Sequence, residues 1–236
     1  MIHNFEERYI AARRAVIERR YARMNPPQRE AVLATEGPLL LLAGAGSGKT
    51  TVLINRVDNL LTFGKGSDTD YVPEWVTAED LAFLEGFPAQ PSSEDWQEAH
   101  RLCAVEPAVP WSVIAITFTN KAAGELKERL ERTCGPAAND IWAATFHSAC
   151  IRILRRDIER LGAGFNSNFT IYDSDDSKRV IKDILKDMSL DEKEFSPRSV
   201  LAIISNAKDK DQSPEEFAEE ARGSYDWRMT RIAEIY

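Results

Sequence analysis

The chain has 236 residues, of which 43% are hydrophobic and 29% charged, values typical of a soluble globular protein with one or two domains. It contains no apolar run near the roughly 20 residues that cross a bilayer, no secretory signal and only three, widely spaced cysteines. These features exclude a membrane span, a disulfide framework and a zinc site, and they indicate the cytoplasm.

The first predicted elements are two helices and a strand. Residues 1–24 contain neither Gly nor Pro and place apolar side chains at helical spacing. Asn-Pro-Pro at 25–27 ends that pattern, and a second helix is expected from Gln28. Four consecutive leucines and an alanine then predict a buried strand at 39–43.

A glycine-rich loop follows this strand and ends in Gly48-Lys49-Thr50. Glycines let the backbone curl so that its N–H groups point at phosphate oxygens, and a helix expected from Lys49 to Leu61 adds its positive N-terminal end. We expect Lys49 to reach the β- and γ-phosphates of a nucleotide and the Thr50 hydroxyl to ligate Mg²⁺, which makes these two the candidate catalytic residues. The alternative is a glycine-rich turn without a ligand. The predicted nucleotide-binding residues of this segment are Ala43, Gly44, Ala45, Gly46, Ser47, Gly48, Lys49, Thr50 and Thr51.

Gln28 lies 21 residues before Lys49. Its side-chain amide offers one donor and one acceptor in the geometry that pairs with adenine N6 and N7, which would select ATP. Taken by itself, the residue is more typical of an exposed position on a helix.

Residues 63–110 form an acidic insertion with ten acidic residues against two basic ones, which accounts for the net charge of −8. The neutral remainder is therefore free to carry basic patches. Five prolines favour an irregular segment with short helices around 77–85 and 93–104. We expect a solvated surface element or a partner-docking arm, whose deletion would leave nucleotide affinity intact.

Strands and helices then alternate. Residues 113–118 and 141–145 are predicted strands, followed by helices at 121–133 and 146–161. This alternation predicts an α/β fold with a parallel sheet, and the last 75 residues are expected to be mostly helical.

The ends of these two strands carry similar residues: a hydroxyl, an aromatic ring and a polar residue before a helix. Free N–H groups at a capped helix can bind a phosphate of a nucleic-acid strand, and the ring can stack on a base. Basic residues follow the second strand, where they could track the backbone. The alternative is two ordinary capped helices with a solvated arginine face. The predicted DNA-binding residues are Thr117, Phe118, Thr119, Asn120, Lys121, Thr145, Phe146, His147, Arg152 and Arg155.

In this order, the segments resemble the superfamily 1 DNA helicases of the UvrD/PcrA/Rep group. The resemblance covers Asn25–Asn59 and Trp111–Tyr236. Gln28 takes the position of the family's Q motif, residues 43–50 that of motif I, residues 117–123 that of motif Ia and residues 145–148 that of motif Ib.

The resemblance implies an incomplete P-loop NTPase (RecA-like) parallel sheet in residues 1–146 and part of a helical subdomain in residues 147–236. It further implies ATP and Mg²⁺ as cofactors and both single-stranded and duplex DNA as partners, with no membrane. The activity implied for the parent protein is an ATP-dependent DNA helicase, such as one acting in DNA repair, that moves 3′ to 5′ along one strand.

Three departures from the family pattern modify these expectations. Thr51 stands where the family often carries an arginine that stacks on adenine, and the acidic insertion is longer than the usual connection. The family's Asp-Glu motif II is expected beyond Tyr236, so we expect the chain alone to bind nucleotide weakly and to turn it over negligibly. Asp173 is interpreted as a helix N-cap rather than as the missing metal carboxylate.

Two other classes of protein remain open. A P-loop small-molecule kinase would use the same phosphate cradle, with Asp173 or Asp175 at the metal or substrate. A non-catalytic interaction module with a vestigial loop would show no change in melting temperature with nucleotide.

Overall fold

A computed structural model describes residues 4–44, 46–224 and 226–236. The chain divides into two compact units, Met1–Asp157 and Ile158–Tyr236. The helix Phe146–Asp157, with which the predicted helical subdomain begins, falls in the first unit, and the subdomain boundary itself stays a prediction.

Seven α-helices of the first unit lie close to their predicted positions. In most of these helices a polar side chain at the N-cap accepts a hydrogen bond from a free N–H group of the first turn. Asn4 caps α1 in this way, and Asn25 forms a capping box with Gln28 on α2. The helices are α1 (Phe5–Arg20), α2 (Pro26–Leu33), α3 (Lys49–Thr62), α4 (Ala78–Glu85), α5 (Ser93–Cys103), α6 (Asn120–Cys134) and α7 (Phe146–Asp157).

Strands β1 (Ile114–Thr117) and β2 (Trp142–Thr145) form a parallel pair, and α6 connects them. Thr117 lies opposite Thr145, so both strands end at the same edge. Buried side chains of α3, α6 and the strands, among them Ile54, Leu130 and Ala115, pack together beside this pair. This arrangement confirms the α/β class.

The strand predicted at 39–43 is wrong: the structure assigns no regular secondary structure to these residues. Leu40 and Leu42 are 80% and 84% exposed, although the sequence predicts a buried run. A strand requires ladder hydrogen bonds to a neighbour, and within the described residues β1 and β2 pair only with each other. Apolar composition is therefore insufficient to make this segment a strand here.

The acidic insertion contains two short helices between irregular stretches, as predicted, but it is not simply a solvated element. α4 and α5 coincide with its two predicted helices, and their apolar faces complete the largest hydrophobic core together with α1. Glu79, Glu85 and Glu94 lie on exposed positions of these two helices, and none of their six acidic residues is buried, so an acidic segment can bury its other face. The insertion contributes Phe63, Leu81, Leu84, Phe87, Ala99, Leu102 and Cys103 to this core.

Polar groups buried in the same core tie α1 to its neighbours. The Tyr9 hydroxyl donates to the Leu102 carbonyl, and burial raises the pKa of the Tyr9 phenol and of the Cys103 thiol to about 12 each. Asp58 of α3 accepts two hydrogen bonds from the Arg20 guanidinium, at 2.9 and 3.0 Å, and one from the Tyr21 hydroxyl at 2.9 Å. α1 is therefore fixed directly to the helix that begins at Lys49.

The second unit is helical, as predicted. A 3₁₀ turn at Ile158–Leu161 precedes α8 (Ser174–Asp187), α9 (Pro197–Asp209), α10 (Pro214–Gly223) and α11 (Trp227–Ile235). Their apolar faces meet in one core, which includes the fully buried Leu185 and Val200. In the part of the chain that the structure describes, no helix is both long enough and apolar enough to span a bilayer.

Candidate nucleotide-binding and DNA-binding sites

The glycine-rich loop uses conformations that side chains disfavour. Gly46 and Gly48 have φ angles of +75° and +84°, in the left-handed region that glycine adopts readily. The Ser47 hydroxyl donates to the Gly44 carbonyl at 2.8 Å, which closes a tight turn. Ala45, predicted to belong to this loop, lies outside the described residues.

Lys49 folds back over the loop. Its Nζ donates to the Ala43 carbonyl at 3.0 Å and to the Gly44 carbonyl at 2.6 Å. The ammonium group thus lies beside the turn, where it could bind an anion by exchanging backbone oxygens for phosphate oxygens.

The N-terminus of α3 differs from those of α1, α2, α4, α5 and α6. Each of those five helices has a side-chain oxygen that accepts from its first turn, whereas Gly48 at the N-cap of α3 provides none. The first-turn N–H groups of α3 are therefore available for a phosphate, and the residues around them fit a nucleotide. Thr50 and Thr51, the predicted metal ligand and its neighbour, are exposed on this turn.

Gln28 is bound to the loop. Its Nε2 donates to the Ser47 carbonyl at 2.9 Å, and its Oε1 accepts from the Asn25 N–H at 3.3 Å within the capping box of α2. A Cβ on Gly48 would lie only 2.9 Å from Gln28 Nε2, so the amide packs tightly against the loop. One N–H of Nε2 and one lone pair of Oε1 remain for adenine.

Two residues that the sequence reading missed join α2 to α3. Arg56 Nη1 donates to the Ala31 carbonyl at 2.8 Å and also to that of Ala34, and Asn59 Nδ2 donates to the Val32 carbonyl at 3.1 Å. These bonds satisfy carbonyls at the C-terminal end of α2. The three-residue spacing of Asn25 and Gln28 signalled the capping box, but nothing in the sequence indicated these long-range contacts.

The two predicted DNA-binding segments lie side by side. Because Thr117 pairs with Thr145, the residues after each strand share one sheet edge. Phe118 is fully exposed and Phe146 is 64% exposed, so both rings are accessible for stacking. Asn120, Lys121 and His147 are also exposed.

Hydroxyl groups organise the starts of the following helices. Thr119 Oγ1 accepts from the Ala122 N–H at 3.2 Å and caps α6, as predicted. Thr145 Oγ1 lies 2.9 Å from Ser148 Oγ on the first turn of α7 and accepts from its N–H. Thr145 itself is buried, so its hydroxyl stabilises the turn and is poorly accessible to a ligand.

The arginines of α7 have different environments. The Arg152 guanidinium lies 3.9 Å from the centre of the Trp142 ring, a cation–π contact that fixes its direction. Arg155 is exposed, and Arg156 forms an ion pair with Asp157 at 2.6 Å. Trp142, which the sequence reading did not include, therefore positions one of the predicted DNA-binding residues.

Asp173 is a helix cap. Its Oδ1 accepts from the N–H groups of Asp175 and Asp176, at 2.8 Å each, and these bonds hold its pKa below the usual range. This confirms the predicted N-cap at the start of α8. Among the described residues, no group of three or more His, Cys, Asp or Glu side chains is arranged to hold a metal ion.

The chain matches the sequence model of the UvrD/REP helicase N-terminal domain over residues 24–70 and 97–236. It is 46% identical over 213 residues to a Bacillus subtilis protein named ATP-dependent DNA helicase PcrA, and 40% identical to proteins of that name from Staphylococcus aureus and Staphylococcus epidermidis. Each alignment covers 90% of this chain and 23% of the relative, so the chain spans about a quarter of the length of these relatives. The match over most of its residues shows that the chain belongs to the UvrD/REP helicase family, in its N-terminal domain.

Proposed function

We propose that this chain is the N-terminal, ATP-binding part of an ATP-dependent DNA helicase that moves 3′ to 5′ along single-stranded DNA and unwinds duplex. The observation that carries the proposal is the glycine loop, in which Lys49 and the uncapped first turn of α3 converge beside Gln28. The family membership and the relatives' names support the same activity.

Each residue of the loop has a distinct part in nucleotide binding. The N–H groups after Gly48 would bind the phosphate oxygens. The Lys49 ammonium group would release the Ala43 and Gly44 carbonyls and contact the β- and γ-phosphates. Thr50 would ligate Mg²⁺, which when bound neutralises charge that develops on the phosphates. The Gln28 amide would hydrogen-bond the edge of adenine while it still donates to the Ser47 carbonyl. These residues form a P-loop NTPase site of the RecA-like kind.

The shared edge of β1 and β2 would bind the DNA strand. Phe118 and Phe146 offer exposed rings for stacking, and the first turn of α6 with Lys121 provides donors for a phosphate. Arg152 and Arg155 on α7 would follow the backbone of the strand.

Nucleotide binding by the chain tests the first half of the proposal. Lys49→Ala should abolish the calorimetric signal of Mg-ATP binding, because the loop loses the ammonium group that lies beside its turn. Lys127→Ala, on an exposed position of α6, is the matched control and should bind as the unaltered chain does.

We expect the chain to bind Mg-ATP weakly and to hydrolyse it at a negligible rate. Unchanged binding by Lys49→Ala would refute the loop assignment. Phosphate transfer to a small metabolite without DNA would instead identify a kinase.

DNA binding tests the second half. Phe118→Ala should weaken binding of a labelled oligothymidine by about tenfold, since base stacking contributes roughly 1–3 kcal/mol per base. Phe5→Ala on α1, another exposed phenyl group, serves as the control. Anisotropy titrations at several salt concentrations should also show affinity falling with salt. A salt-independent signal that survives Phe118→Ala would contradict the assignment.

A further inference from the structure

The insertion presents two aromatic rings to solvent at one place. Tyr71 and Trp75 are 57% and 50% exposed, whereas Val72 and Val76, each the next residue along the chain, pack against the large core. The rings are therefore exposed because the segment is anchored on its other side.

A buried arginine holds this segment in place. Arg13 of α1 is fully buried; its Nη1 donates to the Tyr71 carbonyl at 2.6 Å, and its Nη2 donates to the Thr69 carbonyl. The Tyr71 N–H donates to Thr69 Oγ1 at 3.1 Å, and the Val76 N–H donates to the Pro73 carbonyl at 3.2 Å. A loop fixed in this way loses little conformational entropy when it binds a partner, which favours affinity.

A groove of about 460 Å³ lies between the two rings. Buried Pro73 and Val105 contribute to its lining, and Lys65 and Glu106 line it as an ion pair at 2.9 Å. Exposed aromatic rings beside a groove are the side chains that most often dominate binding energy at protein interfaces.

Trp75 already contacts a guanidinium. The Arg101 side chain lies 5.0 Å from the ring centre and is held there by Asp80 and Glu98. Trp75 is nevertheless 50% exposed, so a second cation can approach it.

The charge of the surroundings selects the kind of partner. The groove belongs to the segment 63–110, whose net charge is −8. Asp70 and Glu106 beside it are paired with Arg14 and Lys65, and Glu74, between the lining residues Pro73 and Trp75, is exposed. Such a surface repels the phosphates of a nucleic acid and attracts a positively charged peptide. Residues 71–96, which carry both rings, and α1 lie outside the match to the helicase family model, whereas Lys65, Val105 and Glu106 on the other part of the groove lie within it.

We infer that the groove between Tyr71 and Trp75 is a docking site for a positively charged, extended segment of a partner protein. An arginine or lysine of that segment lies against the exposed aromatic rings, and the neighbouring carboxylates compensate its charge. This interaction is independent of ATP and of the DNA-binding edge.

Fluorescence anisotropy with the whole chain tests the inference. The probe is a labelled peptide in which arginine alternates with proline and glycine, and the same peptide with glutamate for arginine is the negative probe. The basic peptide should bind, and Trp75→Ala should weaken that binding by about tenfold. Trp111→Ala, which removes another exposed tryptophan, should leave binding unchanged.

A second variant guards against misfolding. If Trp75→Ala lowers the melting temperature, Tyr71→Ser, which alters the more exposed of the two rings, is tested in its place. It should weaken binding of the basic peptide by a similar factor. The inference is overturned if the basic peptide fails to bind below about 1 mM, if both aromatic variants bind it normally, or if the glutamate peptide or oligothymidine binds equally well at these rings.

Discussion

Two regions of the first unit differ in how they are held. The core around α1, α4 and α5 buries large side chains such as Tyr9, Phe63 and Leu102 and contains several tight polar contacts. The described residues between Leu39 and Gly48, which carry the candidate chemistry, are largely exposed. The main core and the candidate site are thus separate parts of one unit.

The helix α3 connects the two regions. Its first turn follows directly after the glycine-rich loop, while Asp58 and Asn59, near its other end, are buried in contacts with α1 and α2. The loop is therefore positioned mainly through the helix behind it. Changes in the core should alter stability strongly, and changes in the loop should alter nucleotide binding strongly.

The largest effect should follow deletion of residues 66–107. The expectation from composition was that nucleotide affinity would survive, but this segment supplies Leu81, Leu84, Phe87 and Leu102 to the core. Removing one such side chain costs about 2–5 kcal/mol, so losing all of them exceeds the roughly 5–15 kcal/mol that stabilises a domain. Circular dichroism should show loss of cooperative unfolding, and a wild-type melting curve would refute the assignment of this core.

A smaller effect is expected for Asp58→Asn. The carboxylate is 5% exposed and accepts from Arg20 and Tyr21, so its loss leaves a partly buried guanidinium without its counter-ion. Urea denaturation should show the free energy of unfolding falling by about 2–4 kcal/mol.

The matched control is Asp70→Asn. Asp70 also pairs with an arginine of α1, but its side chain is 82% exposed, and a surface pair of this kind contributes less than about 1 kcal/mol. Equal effects of the two substitutions would mean that burial does not distinguish these ion pairs.

The smallest effect on stability is expected in the loop. Gly48→Ala places a Cβ 2.9 Å from Gln28 Nε2 at a φ of +84°, which should cost about 1 kcal/mol of stability. Mg-ATP affinity should nevertheless fall by about tenfold, because the strain displaces the amides that face the phosphates.

Gly124→Ala is the control for the loop variant, since a Cβ there meets no described atom within 4 Å. Calorimetry should show unchanged nucleotide affinity for it. Normal Mg-ATP binding by the Gly48→Ala chain would show that this glycine is not part of the nucleotide site.

Local patterns allowed much of the fold to be predicted. The two helices of the insertion, α6 and both paired strands were confirmed because their caps and apolar spacing are encoded within a few residues. The same holds for the Asp173 cap. The roles of the loop and DNA-edge residues stay predictions.

Long-range contacts could not be predicted. Whether residues 39–43 form a strand depends on a neighbour elsewhere in the chain, which their composition does not reveal. Likewise, the acidic composition of the insertion gave no indication that its other face is buried. The hydrogen-bond partners of Arg13 and Asp58 lie tens of residues away in the chain. Each wrong prediction depended on what the segment pairs with or packs against elsewhere in the chain.

The position of Lys49 has a consequence for how a nucleotide enters. Nζ already donates to the Ala43 and Gly44 carbonyls, so at the proposed nucleotide site a triphosphate would exchange one set of oxygen acceptors for another. The ammonium group would then hold the turn in shape while no ligand is bound. Entry should therefore resemble a displacement reaction, in which the side chain swings outward as the anion settles.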